Sequence, residues 1–237
     1  MKYSLFLIFF WAGISFGQQL EIPASFDHLQ RKVIDEEWNI LAFVPKESII
    51  DLPDIKLLEE DDFVELVTPV AVLDLEGNGI KNFLILFSPG PSMDPYFMFY
   101  KISNTDTQFV FGLGCKQVIV PGNGYIFTSG HANNMFNTRI IYKYENNTVA
   151  EIAQPYNYVG LKTKTKKDIT IYEDINFTQK LAVVPNESPV EILLGKWNEE
   201  EDTWKFLIKA SIGFVGWWKL DDNYHSEEIE GIFFAGD

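Results

Sequence analysis

The sequence predicts a mainly β protein, and three observations carry that prediction. Short apolar runs rich in β-branched and aromatic residues recur along the chain. Clusters of Gly, Pro, Asn and Asp, such as S-P-G-P-S and P-G-N-G, separate these runs at spacings of roughly 8–12 residues. These intervals are too short for helical crossovers between parallel strands, so we expect antiparallel sheets arranged as a sandwich or a small propeller.

The first segment, residues 1–17, has the order of a secretory signal peptide. A single charge at Lys2 precedes an apolar run from Leu5 to Ala12, and small residues follow. A membrane anchor is the alternative, but the run is shorter than the roughly 20 residues that a span needs. We therefore expect cleavage before Gln18 and a secreted or periplasmic mature chain with no membrane span.

The rest of the chain predicts one helix, a series of strands and a boundary between two parts. Asp27 as a cap, followed by Leu29, Val33 and Trp38 at helical spacing, predicts a helix over residues 27–41. The later apolar runs predict strands at Phe63–Leu73, Phe83–Phe87, Tyr96–Ile102, Phe109–Phe111, Val118–Val120, Tyr125–Phe127, Arg139–Tyr144 and, last, Ile229–Ala235. Pro155 and Gly160 mark the boundary, which gives domains over 18–155 and 156–237.

Composition narrows the possible functions before any motif is considered. The chain has 19 Lys and Arg against 34 Asp and Glu, for a net charge of −15. Nucleic-acid binding is therefore disfavoured, because neutralising phosphates requires a basic surface, whereas a basic partner would be attracted. The single Cys115 excludes an intrachain disulfide and a four-cysteine zinc site. The cluster Lys162, Lys164, Lys166 and Lys167 is interpreted as a solvated strand edge.

A calcium-like loop spans residues 74–82. Gly79 permits its sharp turn, and its candidate oxygen ligands for Ca²⁺ alternate along the chain: Asp74, Glu76, Asn78, the carbonyl of Ile80, and Asn82. Apolar strands rather than helices flank the loop, and Ile85 stands where an EF-hand carries its last Glu. Since only two carboxylates offset a divalent charge, we expect a weak or vestigial calcium site. Useful calcium binding and turn geometry alone remain the alternatives.

This loop resembles the D-x-N-G-D-G-x-x-D segment of FG-GAP and related propeller-like extracellular modules, with Asn78 and Asn82 standing where Asp is usual. Residues 60–155, including M-D-P-Y-F-M-F-Y-K-I and T-D-T-Q-F-V-F, are also similar to periplasmic inhibitors of lysozyme-type muramidases. That resemblance implies a propeller-like β-fold and a basic muramidase as partner, which suits an acidic chain. Muramidase inhibition is the first alternative function.

Residues 161–220 resemble a bacterial SH3-like domain. The segments I-T-I-Y-E-D, P-V-E-I-L-L-G, T-W-K-F-L-I-K and G-F-V-G-W-W-K-L follow the order of that family. The resemblance implies a small SH3-like β-barrel that binds cell-wall peptides or docks against a neighbouring domain. Tyr172, Trp204 and Trp217 fall at the aromatic positions of the pattern, and Trp218 replaces a small aliphatic residue.

These four aromatic residues are the candidate ligand-binding residues. Consecutive strand residues face opposite ways, so Trp217 and Trp218 cannot both lie in the core. An exposed Trp often marks a binding surface. The alternative is that the aromatic residues only fill the barrel or cover the preceding domain.

The sequence shows no catalytic signature. His28, His131 and His225 lie far apart without metal-ligand spacing, and neither a G-x-S-x-G elbow nor a phosphate loop is present. Cysteine peptidases often accompany bacterial SH3-like modules, but the G-L-G-C-K context of Cys115 lacks their D-C-S/A motif. We therefore predict a non-catalytic envelope protein that binds peptidoglycan or an envelope protein. A cryptic cell-wall hydrolase is the second alternative.

Overall fold

The computed structural model describes residues 26–49, 67–89, 94–103, 106–131, 133–220 and 225–236. Within these ranges all sixteen regular elements are β-strands, so the mainly β class is confirmed. No helix in these ranges is long and apolar enough to cross a membrane. The predicted leader and residues 63–66 of the first predicted strand lie outside the described residues.

The strands are β1 (Leu29–Asp35), β2 (Ile40–Pro45), β3 (Thr68–Leu73), β4 (Phe83–Ser88), β5 (Tyr96–Ile102), β6 (Thr107–Gly114), β7 (Gln117–Ile119), β8 (Tyr125–Gly130), β9 (Thr138–Glu145), β10 (Thr148–Glu151), β11 (Asn157–Lys164), β12 (Ile169–Tyr172), β13 (Lys180–Val184), β14 (Pro189–Asn198), β15 (Thr203–Ala210) and β16 (Val215–Lys219). Every strand predicted between Phe83 and Tyr144 falls on an observed one.

The strands form three sheets, none of which closes into a barrel. The first has the order β1-β2-β7-β8-β9-β10, with β2 and β7 parallel. The second is a four-stranded antiparallel sheet, β3-β4-β5-β6. The third has the order β11-β14-β15-β16-β12-β13 and is antiparallel throughout.

The first two sheets contribute to one apolar core. Phe83, Phe97 and Phe99 of the second sheet are fully buried, as are Val118 and Ile126 of the first. Large side chains on alternate strand positions form this core, and each contributes about 2–3 kcal/mol. This core holds the calcium-like loop at the end of β3. The other face of the second sheet is also buried, in a smaller cluster of Val72, Leu84, Leu86 and Tyr100.

The third sheet has its own core, which a loop of the first sheet completes. The sheet itself contributes buried side chains such as Ile171, Ile208 and Trp218 to this core. Met135 and Phe136, from the connection between β8 and β9, belong to the same cluster. The connection therefore ties the two parts of the chain together.

The predicted helix over residues 27–41 is wrong, because this region forms a hairpin of β1 and β2. Leu29 and Val33 are four residues apart, an even number, so they share one face in a strand as well as in a helix. The turn between the strands has Asn39 at φ 54°, and the Asn39 N–H donates to the Glu36 carbonyl at 3.3 Å.

The predicted last strand, Ile229–Ala235, is also wrong. The segment makes only isolated bridges, from Ile229 to Thr165, from Phe233 to His225 and from Ala235 to Asn134. Gly231, at φ +80°, turns the chain after the first of them. An apolar run that reverses direction cannot pair continuously with one strand.

Candidate binding surface

Strand register places five side chains in one row across the third sheet. Taken along successive cross-strand pairs, they are Tyr158, Leu194, Leu207, Trp217 and Tyr172. Directly paired residues point to the same face of a sheet. The adjacent pair, Phe206 and Trp218, points into the core, so the row lies on the opposite face. It crosses five strands and is about 19 Å long.

Tyr156, just before β11, adds a sixth side chain beside this row. Its ring lies 6.0 Å from the ring of Trp217, and we call Tyr156 and the five row residues the aromatic face. Tyr156 and Tyr158 are 40% and 53% exposed, and the other four are half-buried. The aromatic face therefore presents ring surface to solvent without being a single open patch.

Cationic side chains border the two exposed tyrosines. The Arg139 guanidinium lies 4.9 Å from the ring centre of Tyr158, and its Nη1 donates to the Tyr158 carbonyl at 3.0 Å. Lys196 Nζ lies 5.8 Å from the ring centre of Tyr156. Such contacts hold a cation over the electron-rich face of the ring and help to fix the orientation of the tyrosine side chain.

A second cross-strand row, of three lysines, runs beside the aromatic face. Lys205 pairs in register with Lys196 on one side and Lys219 on the other. The Glu201 carboxylate accepts hydrogen bonds from Lys205 at 2.9 Å and Lys219 at 2.5 Å. These two bonds, with Lys205 the stronger influence, lower the pKa of Glu201 to about 2.

The four aromatic residues predicted to bind ligand fall in two environments. Tyr172 and Trp217 belong to the aromatic face. Trp204 packs into the core margin, with its ring 4.9 Å from the ring of Phe136. Trp218 is only 3% exposed, and its Nε1 donates to Glu228 Oε2 at 2.6 Å. Trp218 is therefore a core residue, out of reach of a ligand on the surface.

Sequence reasoning missed four members of the aromatic face: Tyr156, Tyr158, Leu194 and Leu207. The alternation in Y-N-Y at residues 156–158 was a usable signal, but the segment was interpreted as a boundary. Leu194 gave no signal, because β14 carries a register shift between Ile192 and Leu194. That shift moves the rest of the strand to the opposite face, and a hydrophobic pattern does not reveal it.

The carboxylate of Asp74 accepts hydrogen bonds from backbone N–H groups of the calcium-like loop. Its Oδ1 accepts from the Gly77 N–H at 2.8 Å, and its Oδ2 accepts from the Gly79 N–H at 2.6 Å. Asn78 Oδ1 accepts from the Ile80 N–H at 2.9 Å. The side chains of Asp74 and Asn78 therefore accept three hydrogen bonds from backbone N–H groups within the loop.

The second carboxylate of the loop faces a cation of the protein itself. Glu76 Oε1 lies 3.7 Å from Lys101 Nζ, and Glu76 Oε2 accepts from Asn78 Nδ2 at 2.7 Å. Asn82 Oδ1 is buried without a hydrogen-bond partner. Among the loop contacts described here, this is the observation that favours an ion. No group of three or more His, Cys, Asp or Glu in the described ranges could hold a metal. The donor set fits a divalent ion poorly.

The calcium-like loop packs against the turn between β7 and β8. The Gly124 N–H donates to the Leu75 carbonyl at 2.6 Å. A Cβ on Gly77 would lie 2.8 Å from the Gly122 carbonyl oxygen, and Gly77 has φ +73°. Glycine is required there both by the backbone conformation and by the close approach.

The arrangement around Cys115 differs from that of an activated nucleophile. Cys115 is buried, and burial raises the pKa of its thiol far above the ordinary value. A reactive cysteine requires the opposite shift, toward the thiolate. His131 places Nε2 2.9 Å from the Phe233 carbonyl oxygen.

A comparison with protein-family models found no matching family, and comparisons with curated proteins and with solved structures found no match. The functional argument therefore rests on the residues and geometry of this chain.

Proposed function

We propose that this chain is a secreted, non-catalytic protein of the cell envelope that binds cell-wall material, peptidoglycan above all, through the aromatic face. The observation that supports it best is the cross-strand row from Tyr158 to Tyr172, with partly exposed aromatic rings at both ends. In this proposal the third sheet is an open SH3-like module. The first two sheets are the propeller-like or sandwich domain, and residues 1–17 direct secretion.

The chemistry of the aromatic face suits a polymer with sugar and peptide parts. Ring faces carry partial negative charge, so they attract the C–H bonds of sugars and aliphatic side chains. Lys196 forms no ion pair within the described part of the chain and offers a charge for ligand carboxylates. The row is narrow and about 19 Å long. It therefore fits an extended polymer chain better than a globular protein partner, whose interface buries about 800 Å² per partner.

We further propose that the calcium-like loop is vestigial. Each oxygen of the Asp74 carboxylate already accepts one backbone hydrogen bond, and Lys101 already offsets the Glu76 charge. We expect added Ca²⁺ to raise the melting temperature by less than about 1 °C. Asn82→Asp restores a carboxylate at a usual ligand position, and it is the matched variant in which a larger rise should appear. A large rise in the wild type would contradict this proposal.

Co-sedimentation of the full mature chain with purified peptidoglycan tests the main proposal. We expect wild type to sediment, and Tyr158→Ala and Trp217→Ala each to weaken binding about tenfold. Phe214→Ala is the control, since Phe214 is an exposed aromatic residue on the β15–β16 turn, outside the aromatic face. Circular dichroism checks that each variant is folded.

Failure of the wild type to sediment, or an equal loss in Phe214→Ala, would overturn the peptidoglycan assignment. Inhibition of a basic lysozyme at near-stoichiometric concentration is the next measurement in that case. It would assign the acidic chain to the muramidase-inhibitor alternative.

A further inference from the structure

A second apolar row crosses the first sheet, on the face opposite to its core. Taken along successive cross-strand pairs from β2 to β9, its members, which we call the outer row, are Phe43, Ile119, Phe127 and Ile141. Their strand neighbours Ala42, Val118 and Ile126 are fully buried in the core. Since consecutive strand residues point to opposite faces, the outer row faces away from the core. All four side chains are half-buried, and the row is about 14 Å long.

Two further aromatic side chains enlarge the outer row. The ring of Phe26 lies 5.6 Å from the ring of Phe127, and the ring of Tyr125 lies 6.4 Å from it on the same strand. Lys143 Nζ lies 4.0 Å from the ring centre of Tyr125. Soluble proteins rarely present neighbouring apolar side chains over a large area, and such areas often mark a binding surface.

Polar side chains run beside the outer row, two residues away along β7, β8 and β9. They are Gln117, Ser129 and Arg139, which are paired in register with one another and point to the same face as the outer row. Arginine carries five N–H donors, and within the described residues only Nη1 of Arg139 donates a hydrogen bond, to the carbonyls of Tyr158 and Val159. Apolar surface beside hydrogen-bonding groups complements a sugar ring, which has C–H faces and a polar edge.

Arg139 joins this surface to the aromatic face. It lies on β9 two residues from Ile141, about 7 Å along the strand, and its guanidinium lies 4.9 Å from the ring centre of Tyr158. Tyr158, on β11, is the residue at which the row of the aromatic face begins. The outer row therefore ends beside the start of the aromatic face, and the two together form a path of about 30 Å.

We propose that the outer row and its neighbouring polar side chains form a second contact surface for the glycan strand of peptidoglycan, continuous with the aromatic face. This inference rests on the proposed function. Sugar rings lie against the outer row, and Gln117 and Arg139 donate hydrogen bonds to their oxygen atoms. A strand that reaches both surfaces binds more tightly than a short fragment, because its second contact is intramolecular. The chain therefore selects long glycan strands over single disaccharide units.

A titration of the ¹⁵N-labelled full mature chain with two peptidoglycan fragments tests the proposal. One fragment is a single disaccharide-peptide unit, and the other is an uncross-linked strand of four such units. We expect the strand to bind at least about tenfold more tightly than the single unit. The strand should shift the amide signals of Gln117 and Phe127 together with those of Tyr158 and Trp217.

Two variants change the first sheet and leave the aromatic face intact. Phe127→Ala removes ring surface from the outer row, and Gln117→Ala removes a hydrogen-bonding group without changing the apolar surface. Each should weaken binding of the strand about threefold to tenfold. Phe109→Ala and Gln108→Ala are the matched controls at exposed positions on β6 of the second sheet, and both should bind like wild type. Circular dichroism checks that each variant is folded.

Strand binding that shifts only the signals of the aromatic face would overturn this inference and leave the proposed function standing. Equal affinity for the strand and the single unit, or an equal loss in the control variants, would also overturn it. First-sheet signals that shift with protein concentration rather than with ligand would assign the outer row to a second copy of the chain and refute the proposal. No binding of either fragment would contradict the proposed function itself, and this inference with it.

Discussion

Trp217 and Trp218 are neighbours in β16, yet they occupy opposite faces of the sheet. Trp218 stacks on Phe206 with ring centres 5.8 Å apart and is buried. Removing such a ring leaves a cavity, so we expect Trp218→Ala to lower the free energy of unfolding by about 3–5 kcal/mol. Trp217→Ala should lower it by about 1 kcal/mol. Urea unfolding followed by circular dichroism measures both, and equal losses would contradict the observed burial.

Glu201 makes the stability of the chain depend on pH in a defined window. Its pKa is about 2 in the folded chain, against an ordinary value of 4.5. Between these values the unfolded chain binds the proton first, so stability falls as pH falls through the window. Nuclear magnetic resonance titration of the Glu201 carboxyl should give a midpoint near 2.

Lys219→Met removes one of the two ammonium donors to Glu201 and should move its midpoint toward 4.5. Glu201→Gln should flatten the acid dependence of stability between the two values. An ordinary midpoint in the wild type would show that neither lysine holds the carboxylate in solution.

At the scale of elements, the glycines of the calcium-like loop separate two causes of destabilisation. Gly77 and Gly79 both have positive φ, but a Cβ on Gly79 meets no atom within 4 Å. We expect Gly79→Ala to lower the free energy of unfolding by about 1 kcal/mol through backbone strain alone. Gly77→Ala adds a clash with the Gly122 carbonyl and should cost about 2–3 kcal/mol. Denaturant unfolding of both variants measures this difference. Similar losses in the free energy of unfolding would show that the calcium-like loop separates easily from the turn between β7 and β8.

The strands were predictable because their signal is local. Short apolar runs between turn clusters identified β4 and β5 almost to the residue. The hairpin of β1 and β2 was missed because a four-residue spacing satisfies both periods. The aromatic face was predictable only in part, since Tyr172 and Trp217 stand out in sequence whereas Leu194 joins them through a register shift. Pairing between distant strands has no local signature.

At the scale of the whole molecule, Phe136 links the two parts of the chain. Its ring lies 5.6 Å from the ring of Phe206 in the core of the third sheet, although Phe136 follows β8 of the first sheet. We expect Phe136→Ala to lower the free energy of unfolding by about 3–5 kcal/mol. Phe214→Ala, at an exposed position, should change it by less than about 0.5 kcal/mol.

The same contact determines what a truncated chain can do. A fragment starting at residue 156 lacks Met135 and Phe136, which belong to the core of the third sheet. We expect its thermal unfolding to begin at a lower temperature than unfolding of the third sheet in the full chain. Identical melting would show that the two side chains contribute little.

The parallel pairing of β2 with β7 has a consequence for the order of folding. Leu41 lies beside Gln117, and the whole second sheet lies between them in sequence. At synthesis rates of about 5–20 residues per second, β2 waits for several seconds before its partner exists. During that time β2 exposes an unpaired edge, and closing so distant a contact costs chain entropy. The pair of β2 with β7 therefore closes only after the whole second sheet has been synthesised.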